Sequence, residues 1–290
     1  MLITVFTPTY NRAHLLPRLY NSLCKQTSFD FEWVIVDDGS SDDTKDVVND
    51  NFIKNVTKFP VRYFYKKNGG KHTAINKGIK EAKGDLFLIL DSDDSLPNDA
   101  IEIITKQYKE ISKDNSFCGV CGYMAHHDGT VIGHGCNLEL FDANSLEMRY
   151  KYNVYGDMCE VFRTSVLREF PFPEIEGERF CPEVLSWNRI ATKYKLRIFK
   201  KVIYYRDYLD GGLTDGIVKI RMQSPVASMM TYSELTSYDI PLKAKVRAAI
   251  NYWRFRLCSH GGRKVAIKWS WHLFAPFGWL MHLKDKRITH

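Results

Sequence analysis

Between Leu2 and Leu90 four short apolar runs alternate with three stretches of helical periodicity, and each run ends in a cluster of polar, acidic or glycine residues. The runs Leu2–Phe6, Phe31–Val36, Val61–Tyr65 and Leu86–Leu90 have the length and composition of strands. Between them Leu15, Leu16, Leu19 and Leu23 recur at helical spacing, and Ser41 and Thr44 fit a helix start leading into Val47 and Val48. Ala74, Ile75, Gly78, Ile79 and Ala82 form the stripe of a third helix. A strand that returns through a helix to the same sheet does so by a right-handed crossover, so this order predicts an α/β fold with a mostly parallel sheet and flanking helices. The unbroken run Leu86–Leu90 fits a strand covered on both faces. Ligands of such sheets sit beyond the carboxyl ends of the strands. Pro8-Thr9-Tyr10-Asn11, Asp37-Asp38-Gly39, Asn68-Gly69-Gly70-Lys71 and Asp91-Ser92-Asp93-Asp94 all fall there, so four loops are expected to converge on one edge.

Beyond Leu90 the pattern is less regular. A helix is expected with Asn98 as its N-cap and Ile101, Ile104, Tyr108 and Ile111 on one face. Asp128-Gly129, between Phe117–Ala125 and Thr130–Gly133, is a hairpin signal. Residues 137–210 show no clean period, and no repeat or low-complexity linker interrupts the chain. With 44% hydrophobic and 26% charged residues the sequence is that of an ordered globular protein. Seven cysteines, odd in number and irregular in spacing, fit reduced thiols rather than a disulfide framework. Cys118 and Cys121 form a CxxC, but a zinc site needs a second pair or histidines at ligand spacing. The start MLITVFTPTYNR carries no basic leader followed by an apolar stretch, and with the thiols this gives a cytoplasmic expectation.

The acidic cluster gathers three carboxylates where a buried strand ends. Like charges this close stay ionised most easily around a shared cation, and Mg²⁺ or Mn²⁺ commonly bridges one or two carboxylates to substrate phosphates. An acidic turn capping the next helix would contain the same residues. Asp38, after a strand and before a glycine, could accept a hydrogen bond from a base imide or simply cap a helix. Asn68-Gly69-Gly70-Lys71 offers uncovered backbone N–H groups, a cation and a following helix start, which suit an anion or ribose, although a tight loop has the same composition. No GxGxxG follows any strand, so this is not a dinucleotide fingerprint.

In this order and spacing TVFTPTYNR, VIVDDGSSDDT, NGGKHTAINKGI and GDLFLILDSDD resemble glycosyltransferase family 2, whose members adopt the GT-A fold. The resemblance is strong over residues 1–125 and traceable to about 225. It implies an inverting transferase of the bacterial polysaccharide type that uses a nucleotide-sugar donor, expected to be a UDP-sugar, with Mn²⁺ or Mg²⁺ as cofactor. The expected acceptor is a glycan or a lipid-linked saccharide, and nucleic acid is not an expected partner. Carried over by position, the resemblance places Pro8, Thr9, Tyr10 and Asp38 around the base, with Asn68, Gly70, Lys71, Asp91 and Ser92 completing the donor site. It places the metal on Asp93, with Asp91, and leaves Asp94 as a helper. The family's general base is commonly the Asp of an ED pair four residues before a Trp. Here Glu183 stands in that place before Trp187, with Pro182 where the first acid would be. An acid opening a helix would occupy the same position for its dipole alone. Asp157, Glu176 and Glu178 compete for the role. Asp210 to Gly216 resembles a donor-covering loop after the aromatic run Tyr204, Tyr205 and Tyr208, or is a plain surface loop. His126, His127 and His134 fit no metal spacing and read as loop residues, while Trp187 and Phe180 read as core.

Two other functions share this sheet. A nucleotidyltransferase would carry a Gly-rich, Arg-containing loop after the first strand, where this chain has Pro8-Thr9-Tyr10-Asn11. A non-catalytic nucleotide-sugar-binding protein is favoured only by Pro182. The expected organisation is a GT-A domain over residues 1–235, with a nucleotide-binding half 1–125 and an acceptor half 126–235, then a helical, basic amphipathic extension 236–290.

That extension holds the chain's positive charge. From Pro241 onward eleven Lys and Arg stand against the single acid Asp285, whereas residues 1–240 carry a net −3. Four of the six tryptophans, Trp253, Trp269, Trp271 and Trp279, lie in it. The uncharged stretch from Trp269 to Leu283 is 15 residues and contains Pro276 and Gly278. A spanning helix needs about 20 apolar residues, so the extension is expected to lie on the inner face of an anionic membrane or to pack against the catalytic domain or a second subunit.

Overall fold

The structure is a computed structural model that describes residues 3–54, 58–206, 216–259 and 265–289. The chain divides into two compact units, residues 1–171 with 189–207, and residues 172–188 with 208–290.

The first unit opens with β1 (Ile3–Thr9), α1 (Leu16–Cys24), β2 (Phe31–Asp37) and α2 (Thr44–Val48), which a π-helical turn extends over Asn49–Ile53. There follow β3 (Val61–Tyr65), α3 (Lys71–Glu81), β4 (Leu86–Ile89), α4 (Ala100–Ile111) and β5 (Phe117–Ala125). Then come β6 (Leu140–Ala143), α5 (Ser145–Tyr150), β7 (Met158–Arg163) and α6 (Thr164–Glu169). After α7 (Glu183–Ala191), through which the division between units runs, β8 (Lys195–Tyr205) completes one eight-stranded sheet in the order β3-β2-β1-β4-β7-β5-β8-β6. The expected parallel core is β3-β2-β1-β4. β7 enters antiparallel to both β4 and β5, β8 runs parallel to β5, and β6 closes the edge antiparallel to β8.

Every residue of β1 and β2 is buried, which is why these strands read as continuous apolar runs. Their polar members Thr4, Thr7 and Glu32 are paired within the core. Trp33 Nε1 donates to Thr7 Oγ1 at 2.9 Å, and buried Glu32 accepts from Thr4 Oγ1 at 2.8 Å and from Arg62 at 3.1 Å. The ring cluster of Tyr20, Trp33, Phe52 and Phe59 fills the space under α1, with Tyr20 and Phe52 centroids 4.5 Å apart.

Two local expectations are corrected. Asn98 is not an N-cap: α4 starts at Ala100, and the Asn98 carbonyl instead accepts from Thr27 N at 2.8 Å. The Asp128-Gly129 turn forms, with His126 N donating to Thr130 O at 2.8 Å, but its second arm makes only an isolated bridge between Ala125 and Val131. The CxxC cysteines lie buried on β5, all seven cysteines are free, and burial pushes Cys118 up to about 12 and Cys121 well above its usual range.

The second unit contains the start of α7 and the helices α8 (Ile217–Gln223), α9 (Pro225–Leu235), α10 (Leu242–Arg256) and α11 (Ala275–Thr289), the last preceded by a 3₁₀ turn over Trp269–Phe274. The extension is helical, as expected. The helices on either side of residue 235 pack together within this unit, with the Tyr232 and Phe255 rings stacked at 5.8 Å.

Candidate active site

The carboxyl ends of β1, β2, β3 and β4 lie side by side, and their loops are bound to one another by a few polar contacts. Asn11, held at a positive φ of 52°, accepts from Ser41 N at 2.8 Å and donates its own N–H to Ser40 Oγ at 2.8 Å, joining the first loop to the second. Gly39 has φ 89°, and a Cβ there would lie 2.7 Å from Asn68 N, so only glycine lets the second and third loops approach this closely. Asp38 completes that junction. Its carboxylate accepts from Lys66 Nζ at 2.6 Å, Gly69 N at 2.9 Å and Gly70 N at 2.7 Å, while Asn68 Nδ2 donates to the Asp38 carbonyl at 2.9 Å. A base N–H would therefore meet only the remaining lone pair of Asp38 Oδ2. Pro8 and Thr9 sit at the buried end of β1, and Thr9 Oγ1 has no hydrogen-bond partner among the described residues. Tyr10 follows them with 49% of its surface exposed, an aromatic face open at this edge.

The acidic loop after β4 is held from three directions. Lys71, the first residue of α3, lies 2.7 Å from Asp91. Arg12 forms a 2.6 Å ion pair with Asp93 and a 3.4 Å hydrogen bond to Ser92 Oγ, and Arg18 on α1 donates to the Asp93 carbonyl. From β8, Tyr204 donates to Asp94 Oδ2 at 2.6 Å and accepts from Asp91 N at 3.0 Å, and Ser95 and Tyr205 exchange both backbone hydrogen bonds. His127 adds a 2.8 Å contact from its ring to Ser95 Oγ and lies against Tyr205, so it supports this loop.

Three carboxylates within four residues thus have different electrostatic surroundings. Burial opposes the charge on Asp91, but Lys71, with Arg206 and Arg12, outweighs it and holds the group below the usual carboxylate range. Burial, with the neighbouring charge of Asp91, pushes Asp94 up to about 7. Among the described residues no three His, Cys, Asp or Glu side chains converge on one point, so the protein alone does not form a closed metal cage. Asp91 and Asp93 are hard oxygen donors on one loop. They fit Mg²⁺ or Mn²⁺ in the mode where diphosphate and water supply the remaining ligands. Arg12, Arg18 and Tyr204 carried no assigned role in the sequence. The two arginines follow the first loop and could have been singled out as cations near an acidic cluster, whereas Tyr204 lies 110 positions from Asp94 and has no local signal.

In the second unit Glu183 opens α7, half-buried, and Leu185 N donates to the Pro182 carbonyl at 3.0 Å. Trp187 is buried edge-on against Phe172 with centroids 5.6 Å apart, and Phe180 is half-buried. The competing acids separate by their contacts. Glu178 accepts from Val226 N at 2.7 Å and Ala227 N at 2.9 Å, capping the start of α9. In the first unit Asp157 pairs with Arg206 at 2.8 Å. Glu176 is exposed. Of the Asp210–Gly216 segment only Gly216 lies within the described residues, and Tyr208 lies outside them.

Comparison with known proteins gives consistent matches. The family model described as glycosyl transferase family 2 matches residues 4–169. A chondroitin synthase of Pasteurella multocida (strain Pm70) is 35% identical over 149 residues, covering 50% of this chain and 15% of that protein. A GalNAc(5)-diNAcBac-PP-undecaprenol beta-1,3-glucosyltransferase of Campylobacter jejuni is 28% identical over 230 residues, 75% of this chain and 68% of that one. The chain thus spans a small fraction of the synthase and about two thirds of the glucosyltransferase. Among solved structures, S. aureus TarS 1-349 in complex with UDP-GlcNAc superposes with TM-score 0.61 at 20% identity over 88% of this chain and 81% of that one. The mannosyltransferase PcManGT from Pyrobaculum calidifontis, in complex with GDP-Man and Mn²⁺, gives 0.57 at 16% over 98% and 87%. At these identities the two structures show a shared fold.

Proposed function

We propose that this chain, which belongs to glycosyl transferase family 2, moves a sugar from a nucleoside-diphosphate sugar to an acceptor hydroxyl. The observation that carries the reading is the charge arrangement after β4, where Asp91 pairs with Lys71 and Asp93 with Arg12 at the carboxyl edge of a parallel sheet. Two carboxylates and two cationic side chains side by side suit a metal-bound diphosphate: the carboxylates would take the cation, and the lysine and arginine they release would take phosphate oxygens. When bound, Mn²⁺ or Mg²⁺ would neutralise charge that builds on the leaving diphosphate. Asp93 and Asp91 would hold it.

Tyr10 with Pro8 and Thr9 would pack on the base, and the Thr9 hydroxyl would gain a partner there. Asp38 contributes first by holding the Asn68-Gly69-Gly70 loop in place, so that this loop, Lys71 and Ser92 face the ribose and diphosphate. A uridine donor is supported by the UDP-GlcNAc complex of TarS, and metal use by the Mn²⁺ complex of PcManGT. Glu183 would take the proton from the acceptor hydroxyl as it attacks C1 from the face opposite the nucleotide, inverting that carbon. The acceptor would be a lipid-linked saccharide or growing glycan, a class to which the undecaprenol-linked substrate in the Campylobacter relative's name belongs.

Titration of UDP into the protein tests the donor site. Affinity should rise on adding Mn²⁺, and Asp93→Asn should lose that rise while its melting midpoint stays within a few degrees of wild type. If the variant keeps the full Mn²⁺ effect, the metal assignment fails.

A further inference from the structure

In the second unit α10 and α11 pack so closely that a Cβ on Gly278 would lie 2.4 Å from the Cβ of Trp253. The same side of α11 carries His282 and Asp285, both buried, and Asp285 accepts from Arg254 at 2.5 and 2.6 Å. Trp253 Nε1 donates to the Trp271 carbonyl at 3.0 Å. Two of the four tryptophans of the extension thus take part in the contacts that hold the helix pair together.

The other side of α11 and of the turn before it is apolar and open to solvent. Trp269 is 86% exposed, Leu273 74%, Phe277 54% and Leu280 57%. From Phe277 the helical spacing leads through Leu280 to Lys284 and Arg287, both exposed, so one stripe is apolar first and basic after. Trp279 and Leu283 are exposed beside it. Large apolar side chains this exposed and this clustered mark a surface that is covered in use.

We infer that this face lies in the headgroup region of an anionic lipid bilayer. Charge selects the occupant. Eleven Lys and Arg stand against Asp285 from Pro241 onward, and Asp285 is itself neutralised by Arg254, so a second copy would bring like charge against like. An anionic surface brings the complement. Tryptophan among basic residues suits the boundary between headgroups and acyl chains. No helix among the described residues is long and apolar enough to cross a membrane, so α11 lies in the plane of the surface. The inference is independent of the donor chemistry proposed above.

Flotation of the full chain with vesicles tests it, comparing phosphatidylcholine alone with phosphatidylcholine and phosphatidylglycerol in equal parts. The protein should float with the anionic vesicles at low salt and not with the neutral ones. The combined substitution W269S, L273S, F277S and L280S keeps every charge and should reduce the bound fraction at least about tenfold. Wild-type tryptophan fluorescence should also be quenched by brominated acyl chains, a readout that needs no variant. The inference is overturned if wild type stays with the soluble fraction, if its tryptophans are not quenched, or if the quadruple variant floats as wild type does. It is overturned equally if light scattering shows a dimer that the quadruple variant dissolves while neither protein floats.

Discussion

Asp38 shows how a residue can sit in the right place and do more than its motif implies. Its carboxylate holds Lys66 and two backbone N–H groups of the next loop, so removing it leaves two half-buried backbone donors without their acceptor and Lys66 without its counter-charge. Asp38→Ala should lower unfolding free energy by about 2–4 kcal/mol in urea denaturation, alongside any loss of nucleotide affinity. A variant with wild-type stability and weak UDP binding would mean that the carboxylate serves the ligand alone. Asp94 makes a pH prediction. Its carboxyl titrates at about 3.8 when unfolded and is pushed up to about 7 in the fold by burial and Asp91. Between those values the folded chain holds a proton that the unfolded chain has lost, so stability of the metal-free protein falls as pH rises across that window and levels above it. Asp94→Asn should flatten the decline, by about 1–4 kcal/mol over the window, in melts run from pH 4 to 8. An unchanged slope would place the titration elsewhere.

At the level of elements, the strands and helices up to residue 125 were legible because each is bounded by residues with one strong local preference. Val61–Tyr65 and Phe117–Ala125 match β3 and β5 at both ends, and Phe31–Val36 falls one residue short of β2. Asn98 misled because its side-chain chemistry permits a cap, whereas the chain there is held by a long-range bond to Thr27. Between residues 137 and 210 the elements β6, β7 and β8 pair across large sequence separations, and such pairings leave no periodic trace in any one segment. Glu178 and Glu183 make the same point for acids five residues apart. Glu178 caps α9, so Glu178→Ala should cost about 1–2 kcal/mol of stability and leave turnover per folded molecule near wild type. Glu183→Gln should do the reverse, keeping stability and nucleotide affinity while lowering kcat by roughly 10²-fold or more. If the effects are exchanged, the base is Glu178 and α9 is held by something else.

Across the whole molecule the four polar loops are joined into one edge, as their order along a parallel sheet required. What order alone could not supply was the set of contacts between them: Arg12 and Arg18 reaching the acidic loop from one side, Tyr204 holding it from β8. The central claim is that this edge binds a nucleoside-diphosphate sugar for transfer, and product analysis tests it most directly. Nucleotide sugars are screened with Mn²⁺ and with chelator, and the released nucleotide is identified. The account predicts release of nucleoside diphosphate from at least one donor, dependent on Mn²⁺ and reduced at least about 10²-fold in Asp93→Asn. Formation or consumption of pyrophosphate would make the protein a nucleotidyltransferase, and tight nucleotide-sugar binding without turnover of any donor or acceptor would make it a binding protein; either result contradicts the claim.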